Sequence, residues 1–178
     1  MTAFGFSAVA AHRSCLAYLE RWLPQAGQLI PAAPPSISIA LVGDRRMAAL
    51  HEKFSGVPGP TDVLTFELEH DAQGSATGGE IVLCVPFARR EAKRRGTKPE
   101  NELLLYALHG ALHLSGYDDR DPVAHARMHD EEDRILQEIG IGPVFQQGGG
   151  ARTQAGLRPR LHTCWDAWLL PRMVAHFR

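Results

Sequence analysis

Two histidines four residues apart, then a glycine and an aspartate at intervals of three, are the residues of this chain best suited to chemistry. On a helix, His109 and His113 stand one turn apart on the same face. Their imidazole nitrogens then reach a single ion at about 2.0–2.1 Å. Gly116 permits a backbone turn that a side chain would obstruct, and Asp119 folds back after it to offer a carboxylate oxygen. Two nitrogens and one oxygen leave a fourth position for water, the arrangement of a catalytic rather than a structural zinc site. One Zn2+ or another divalent transition ion per chain is the expected cofactor, since this ligand set also accepts nickel or iron. The plain alternative is a pair of buried histidines packed under a sheet. A second pair at the same spacing, His125 and His129, has no glycine turn or third ligand after it and reads as a solvated helix face.

Peptidases of the His-Glu-x-x-His class carry a glutamate general base directly after the first histidine. Here that residue is Gly110, which has no side chain to move a proton. The spacing of His109, His113, Gly116 and Asp119 resembles that of the metzincin proteases, but shared spacing speaks for geometry and not for substrate.

The ligands need elements to hold them. Apolar residues at helical spacing predict an amphipathic helix over Ser7–Leu23, closed by Pro24. Pro31, Pro34 and Pro35 form a connector, and Ile37, Ile39 and Leu41 alternate with small residues as a half-buried strand. A short helix is predicted from Asp44, as N-cap, to about Phe54, then a stiff loop with Gly56, Pro58, Gly59 and Pro60. Asp62–Glu67 reads as a second strand, His70–Gly79 as a turn or loop, and Glu80–Val85 as a third, more buried strand. Pro86 suits the first turn of a helix that runs to Arg95 and ends at Gly96. Thr97 and Glu100 have the spacing of a capping box for the helix bearing His109 and His113, which Gly116 stops after Ser115. A last helix spans about Pro122–Ile139. The predicted order is α-β-α-β-β-α-α-α in one compact α+β domain over residues 1–143, a small mixed sheet packed with helices. Residues 144–178 form a tail with Gly148, Gly149 and Gly150, then five arginines against one acid, Asp166. Its apolar residues from Trp165 to Phe177 suggest a small amphipathic helix broken by Pro171.

Composition bounds the choices without making one. At 178 residues, 44% hydrophobic and 22% charged, the chain supports a single packed core and is not of disordered composition. No apolar run approaches the roughly 20 residues of a membrane span, and the N-terminus has no signal-like basic flank. Cys15, Cys84 and Cys164 are odd in number and widely spaced, which suits reduced thiols in a cytoplasmic protein. A net charge of −1 provides no bulk attraction for nucleic acid, so any such role rests on a local site.

The run His109-Gly-x-x-His113-Leu-x-Gly116-Tyr117-Asp118 resembles the signature of the YbeY family, bacterial endoribonucleases of ribosomal RNA maturation. Pro60-Thr61-Asp62-Val63-Leu64-Thr65-Phe66 resembles the family's Pro-Thr-Asp-Val-Leu-Ser-Phe strand. Gly79-Glu80-Ile81-Val82-Leu83 with Ala88-Arg89-Arg90 resembles its third strand and following helix. The resemblance covers roughly residues 7–140. It implies a metzincin-like metal-site helix in an α+β fold, with His109, His113 and Asp119 as ligands. It also implies metal-dependent cleavage of single-stranded RNA in maturation of small-subunit (16S) ribosomal RNA, with the small ribosomal subunit as partner. In that reading Arg89, Arg90, Lys93, Arg94 and Arg95 hold the RNA backbone; otherwise they are a solvated helix face. Thr61 and Asp62 read best as a clean strand start, and Tyr117 as a turn aromatic packed over the metal-site helix.

Two positions depart from the family pattern. Asp119 stands where the family usually has histidine, a legitimate ligand whose extra negative charge makes the ion a weaker Lewis acid; Asp118 is the rival ligand. Ser55 stands where the family usually carries an arginine between an aromatic residue and a glycine. Serine cannot neutralise charge on a phosphate as guanidinium does, and Arg120 is the nearest substitute in sequence. The rival function from a different class is therefore a non-catalytic, metal-containing ribosome-assembly factor, with a zinc peptidase as a further alternative.

Overall fold

The computed structural model describes residues 1–74, 76–142 and 144. Its element order is β1 (Ala3–Ala8), a 3-10 turn (Ala10–His12), α1 (Arg13–Gly27), β2 (Ser36–Val42), α2 (Asp44–Ser55), β3 (Val63–His70), β4 (Ala76–Cys84), α3 (Val85–Arg95), α4 (Pro99–Leu114) and α5 (Pro122–Glu138). The strands form one mixed sheet in the order β1-β2-β4-β3. Phe4 lies opposite Ile37 and Phe6 opposite Ile39 in parallel register. Ile39 lies opposite Ile81 in the next parallel pair, and Leu64 lies opposite Val82 in the antiparallel pair.

Strand alternation divides the apolar side chains between two faces. Ile37, Ile39, Leu41, Val63, Ile81 and Leu83 join the large core built with α1, α4 and α5. Leu64, Phe66, Val82 and Cys84 join a smaller cluster around Met47 of α2, with Phe87 of α3 against it. The helix carrying the two histidines is buried nearly all round, from Glu102 to Leu112 without a break, as expected of a helix enclosed by other elements.

Several boundaries differ from the sequence reading. The first element is a strand, β1, and the helix begins at Arg13 instead of Ser7. Phe4, Phe6 and Ala8 alternate as a strand should, but the strand exists through its nonlocal pairing with β2. Pro24 does not close α1; it sits inside the last turn, and the helix continues to Gly27, where the Phe4 ring occupies the space a Cβ would fill. The hairpin of β3 and β4 runs longer than expected, because pairing continues through an irregular register from Glu67 to His70 and β4 begins at Ala76, which absorbs half of the supposed loop. Asp44 is the first residue of α2 and not its cap, which is Gly43; its carboxylate instead accepts two bonds from Arg90 at 2.8 Å. The Thr97 and Glu100 capping box does not form. Lys98 is the cap, and the Thr97 hydroxyl donates to Glu102 at 2.6 Å. Val144 packs into the large core; the glycine run, Cys164 and the suggested tail helix lie outside the described residues.

Candidate metal centre

The last turn of α4 brings His109 and His113 together, their Nε2 atoms 3.0 Å apart and their rings nearly perpendicular at 89°. Gly116, at φ +92°, turns the chain out of the helix, a conformation that favours glycine. The turn is fixed by Gly116 N–H to His113 O at 3.0 Å and Tyr117 N–H to Leu112 O at 3.0 Å. It returns Asp119 Oδ2 to 3.9 Å from His109 Nε2 and 3.7 Å from His113 Nε2. These three residues form the group of His, Cys, Asp or Glu donors able to share an ion among the described residues. The circle through the three atoms has a radius of about 2.1 Å, the bond length an N,N,O zinc site requires. The donor set fits a divalent transition ion.

Access is graded across the site. The side chain of His109 is 1% exposed, Asp119 9% and His113 20%, so the centre opens to solvent on the His113 side. Asp118, the rival ligand, points elsewhere: its carboxylate accepts from the Arg120 Nε–H at 2.9 Å and from the Asp119 backbone N–H. Arg120 is thereby committed to an exposed ion pair with Asp118.

A residue absent from the sequence reading orients the buried ligand. Glu132 of α5 is fully buried, and its carboxylate accepts from His109 Nδ1–H at 2.7 Å and from His129 Nδ1–H at 2.6 Å. A carboxylate on Nδ1 fixes the imidazole tautomer and leaves Nε2 as the coordinating atom. His129 is therefore buried, correcting the solvated-face reading; it lies on the α5 face that packs on α4, its ring stacked 6.4 Å from that of His109. On the other ligand, His113 Nδ1–H donates to Tyr117 O at 3.1 Å. Tyr117 itself packs against the large core.

Charge and burial tune these groups against one another. Burial pushes the Glu132 carboxyl up, but hydrogen bonds from His109 and His129 outweigh it and leave it below its usual range. Burial likewise opposes the charged form of His109, yet the Glu132 bond and the negative charges of Glu132 and Asp119 leave its proton affinity raised. His113 is pushed down to about 4 by burial and by repulsion from His109. It is neutral at physiological pH, with its lone pair ready for an ion.

Gly110 explains the close seat of the helix. A Cβ there would stand 2.8 Å from Thr65 Oγ1 and 3.1 Å from two carbons of Ile81. The side chain of a glutamate base has no room at this position.

Asp62, directly before β3, is buried and accepts from Thr61 Oγ1–H and Val63 N–H at 2.9 Å each. This is the structural role expected of it. Burial holds its carboxyl above the usual range, partly offset by those two hydrogen bonds. A raised folded-state pKa means that the folded chain binds this proton more tightly than the unfolded chain. Stability from this group is therefore full below the unfolded pKa and declines as pH rises toward the folded one. An Asp62→Asn variant retains the acceptor oxygen and removes the titration. Chemical denaturation of metal-free protein should show the variant gaining on the wild type as pH rises out of the carboxylate range; parallel curves would contradict this.

The five basic residues of α3 divide into two groups. Arg90 pairs with Asp44, Arg94 with Glu91, and Arg95 is buried between Glu91 and Glu102 at 3.7 Å from each. Arg89 and Lys93 are exposed. Ser55 is the last residue of α2, followed by Gly56 at φ +71°.

Fold and site together define a single-domain α+β protein with a two-imidazole, one-carboxylate centre on a buried helix. A model of the family described as Endoribonuclease YbeY matches residues 9–140. The chain is 37% identical over 137 residues to an Endoribonuclease YbeY of Thermobifida fusca, covering 73% of this chain and 87% of that protein. It is also 37% identical to one of Frankia alni, covering 79% and 81%. The solution structure of TM1509 from Thermotoga maritima superposes with a TM-score of 0.57 at 26% identity, covering 77% of this chain and 89% of the other. The chain belongs to the YbeY endoribonuclease family, which supports an endoribonuclease role with RNA as substrate. Among the described residues no helix is long and apolar enough to cross a membrane.

Proposed function

We propose that this protein is a metal-dependent endonuclease of single-stranded RNA that acts in small-subunit ribosomal RNA maturation in the cytoplasm. The observation that carries the metal requirement is the triangle of His109 Nε2, His113 Nε2 and Asp119 Oδ2. A divalent ion held there, Zn2+ or another transition ion that this donor set accepts, would supply Lewis acidity to a phosphodiester oxygen and to water. Glu132 holds the His109 ring in the ligating tautomer, and Tyr117 O does the same for His113. Asp119 contributes the anionic donor, and the exposed side of His113 is where the substrate enters. Family membership supports RNA as the substrate, and ribosomal RNA is the finer reading that the sequence resemblance implies. The buried thiols Cys15 and Cys84 suit a reducing compartment.

The test is cleavage of single-stranded RNA by purified protein, with chelator and with Zn2+ restored. Loss with chelator and recovery with metal support the enzyme. The second reading, a metal-containing assembly factor without catalysis, is favoured by Ser55 in the arginine position and by the engagement of Arg120 with Asp118. RNA binding without cleavage in any metal condition would establish it in place of the enzyme.

Arg89 and Lys93 are the α3 cations best placed to meet phosphates. Each phosphate contact on a single strand contributes about 0.7 to the slope of log K against log salt. The double variant Arg89→Ala, Lys93→Ala should lower that slope by about 1.4. Substituting Arg90, Arg94 or Arg95, already engaged with acids, should change it less. A slope unmoved by the double variant rejects α3 as an RNA contact.

A further inference from the structure

On α5, one residue pair repeats the geometry of the metal-site pair on α4. His125 Nε2 and His129 Nε2 are 3.0 Å apart, as are His109 Nε2 and His113 Nε2. Their rings are likewise edge to face, with centroids 4.2 Å apart and planes at 76°. The likeness extends to the anchoring. His109 and His129 each donate Nδ1–H to a different oxygen of Glu132, so both imidazoles are set in the tautomer whose Nε2 coordinates metal.

We propose that His125 and His129 form a second site for a divalent transition ion, with Glu132 as the orienting carboxylate shared by both centres. Two imidazoles one helical turn apart chelate borderline ions such as Ni2+, Cu2+ and Zn2+. No third His, Cys, Asp or Glu donor joins this pair within the 4.8 Å that unites His109, His113 and Asp119 among the described residues, so water completes the coordination and the two centres hold separate ions. A site with two protein ligands binds more weakly than one with three. Several features favour a cation there. His125 is half-buried on the outer side of the pair, giving access. The carboxylates of Asp119 and Glu132 supply negative potential at His125. The ordinary competitor is a hydrogen bond from His125 Nε2–H to the His129 nitrogen, which the same 3.0 Å separation accommodates.

This proposal stands apart from the nuclease reading, and its test counts metal instead of activity. Metal-stripped full-length protein is dialysed against graded Ni2+, with bound metal measured by mass spectrometry and affinity by calorimetry. Wild type should take up a tight equivalent and a weaker one. In both His125→Ala and His125→Gln, the weaker affinity should fall about tenfold or more with the tight equivalent intact. His109→Ala should lose the tight equivalent and retain the weaker. Glu132→Gln, whose amide keeps one of the two acceptor oxygens, should weaken at least one of the two equivalents. Ni2+ uptake unchanged by both His125 substitutions, whatever its stoichiometry, overturns the proposal.

Discussion

Replacing His113 with alanine should cut metal-dependent RNA cleavage by more than about 100-fold, the upper range for loss of a residue that merely supports a ligand. His113 is the most exposed of the three donors, and among the described contacts its side chain makes one hydrogen bond to the protein backbone, to Tyr117 O. Its removal therefore leaves the core intact, at a cost of about 1 kcal/mol to the metal-free fold. The two effects separate in thermal melts. A ligand at 100 times its dissociation constant stabilises the native state by about 2.7 kcal/mol, so added Zn2+ should raise the midpoint of the wild type and barely move that of the variant. Full cleavage by a folded His113→Ala protein would remove the metal from the mechanism.

Loss of Glu132 should strongly destabilise the fold, by about 3–5 kcal/mol for Glu132→Ala. The carboxylate is fully buried and accepts from two buried imidazoles. Without it, two Nδ1–H groups lose their acceptor and a cavity opens between α4 and α5. Glu132→Gln is a milder and more informative change. An amide has one acceptor oxygen, so one of the two imidazoles must invert its tautomer, protonate Nε2 and cease to bind metal. The glutamine variant should fold, yet lose about 10–100-fold in metal affinity. Linkage has a definite sign here. Because the carboxyl is held below its usual range, its stabilisation is present above the unfolded pKa and disappears as pH falls through the folded one. Denaturation curves of the metal-free wild type and the alanine variant should therefore converge in acid. A wild-type advantage that persists undiminished there would show that Glu132 acts by packing alone.

The three ligands were legible because they are local. One helical turn, one glycine bend and eleven consecutive residues carry the whole pattern, and short-range geometry is what sequence spacing encodes. Glu132 escaped because it lies 23 residues from the histidine it orients. A signal was nonetheless present: it shares a helical face with Met128, Ile135 and Leu136, an acid set within the buried stripe of α5. The same stripe would have placed His129 inside. The helices α2 to α5 and the central strands were read correctly in kind because their periodicity is strong. The strand β1 was missed for the opposite reason. Six residues at a sheet margin have little pattern, and what makes them a strand is a partner 33 positions away, as in Ala3 opposite Ser36. The ends of the β3 and β4 hairpin were similarly set by cross-strand pairing through glycines and polar residues that resemble a loop in isolation.

The tight seat of Gly110 on Thr65 and Ile81 bears on how this architecture can change over time. Acquiring a proteolytic base at that position takes a single codon change in principle. In three dimensions it demands that a sixteen-residue rod, enclosed on nearly every side, be lifted from the floor it rests on. The obstruction comes from two strands at once, through Thr65 of β3 and Ile81 of β4. Sterics between helix and sheet thus stand against a glutamate at this position whatever ion the histidines hold.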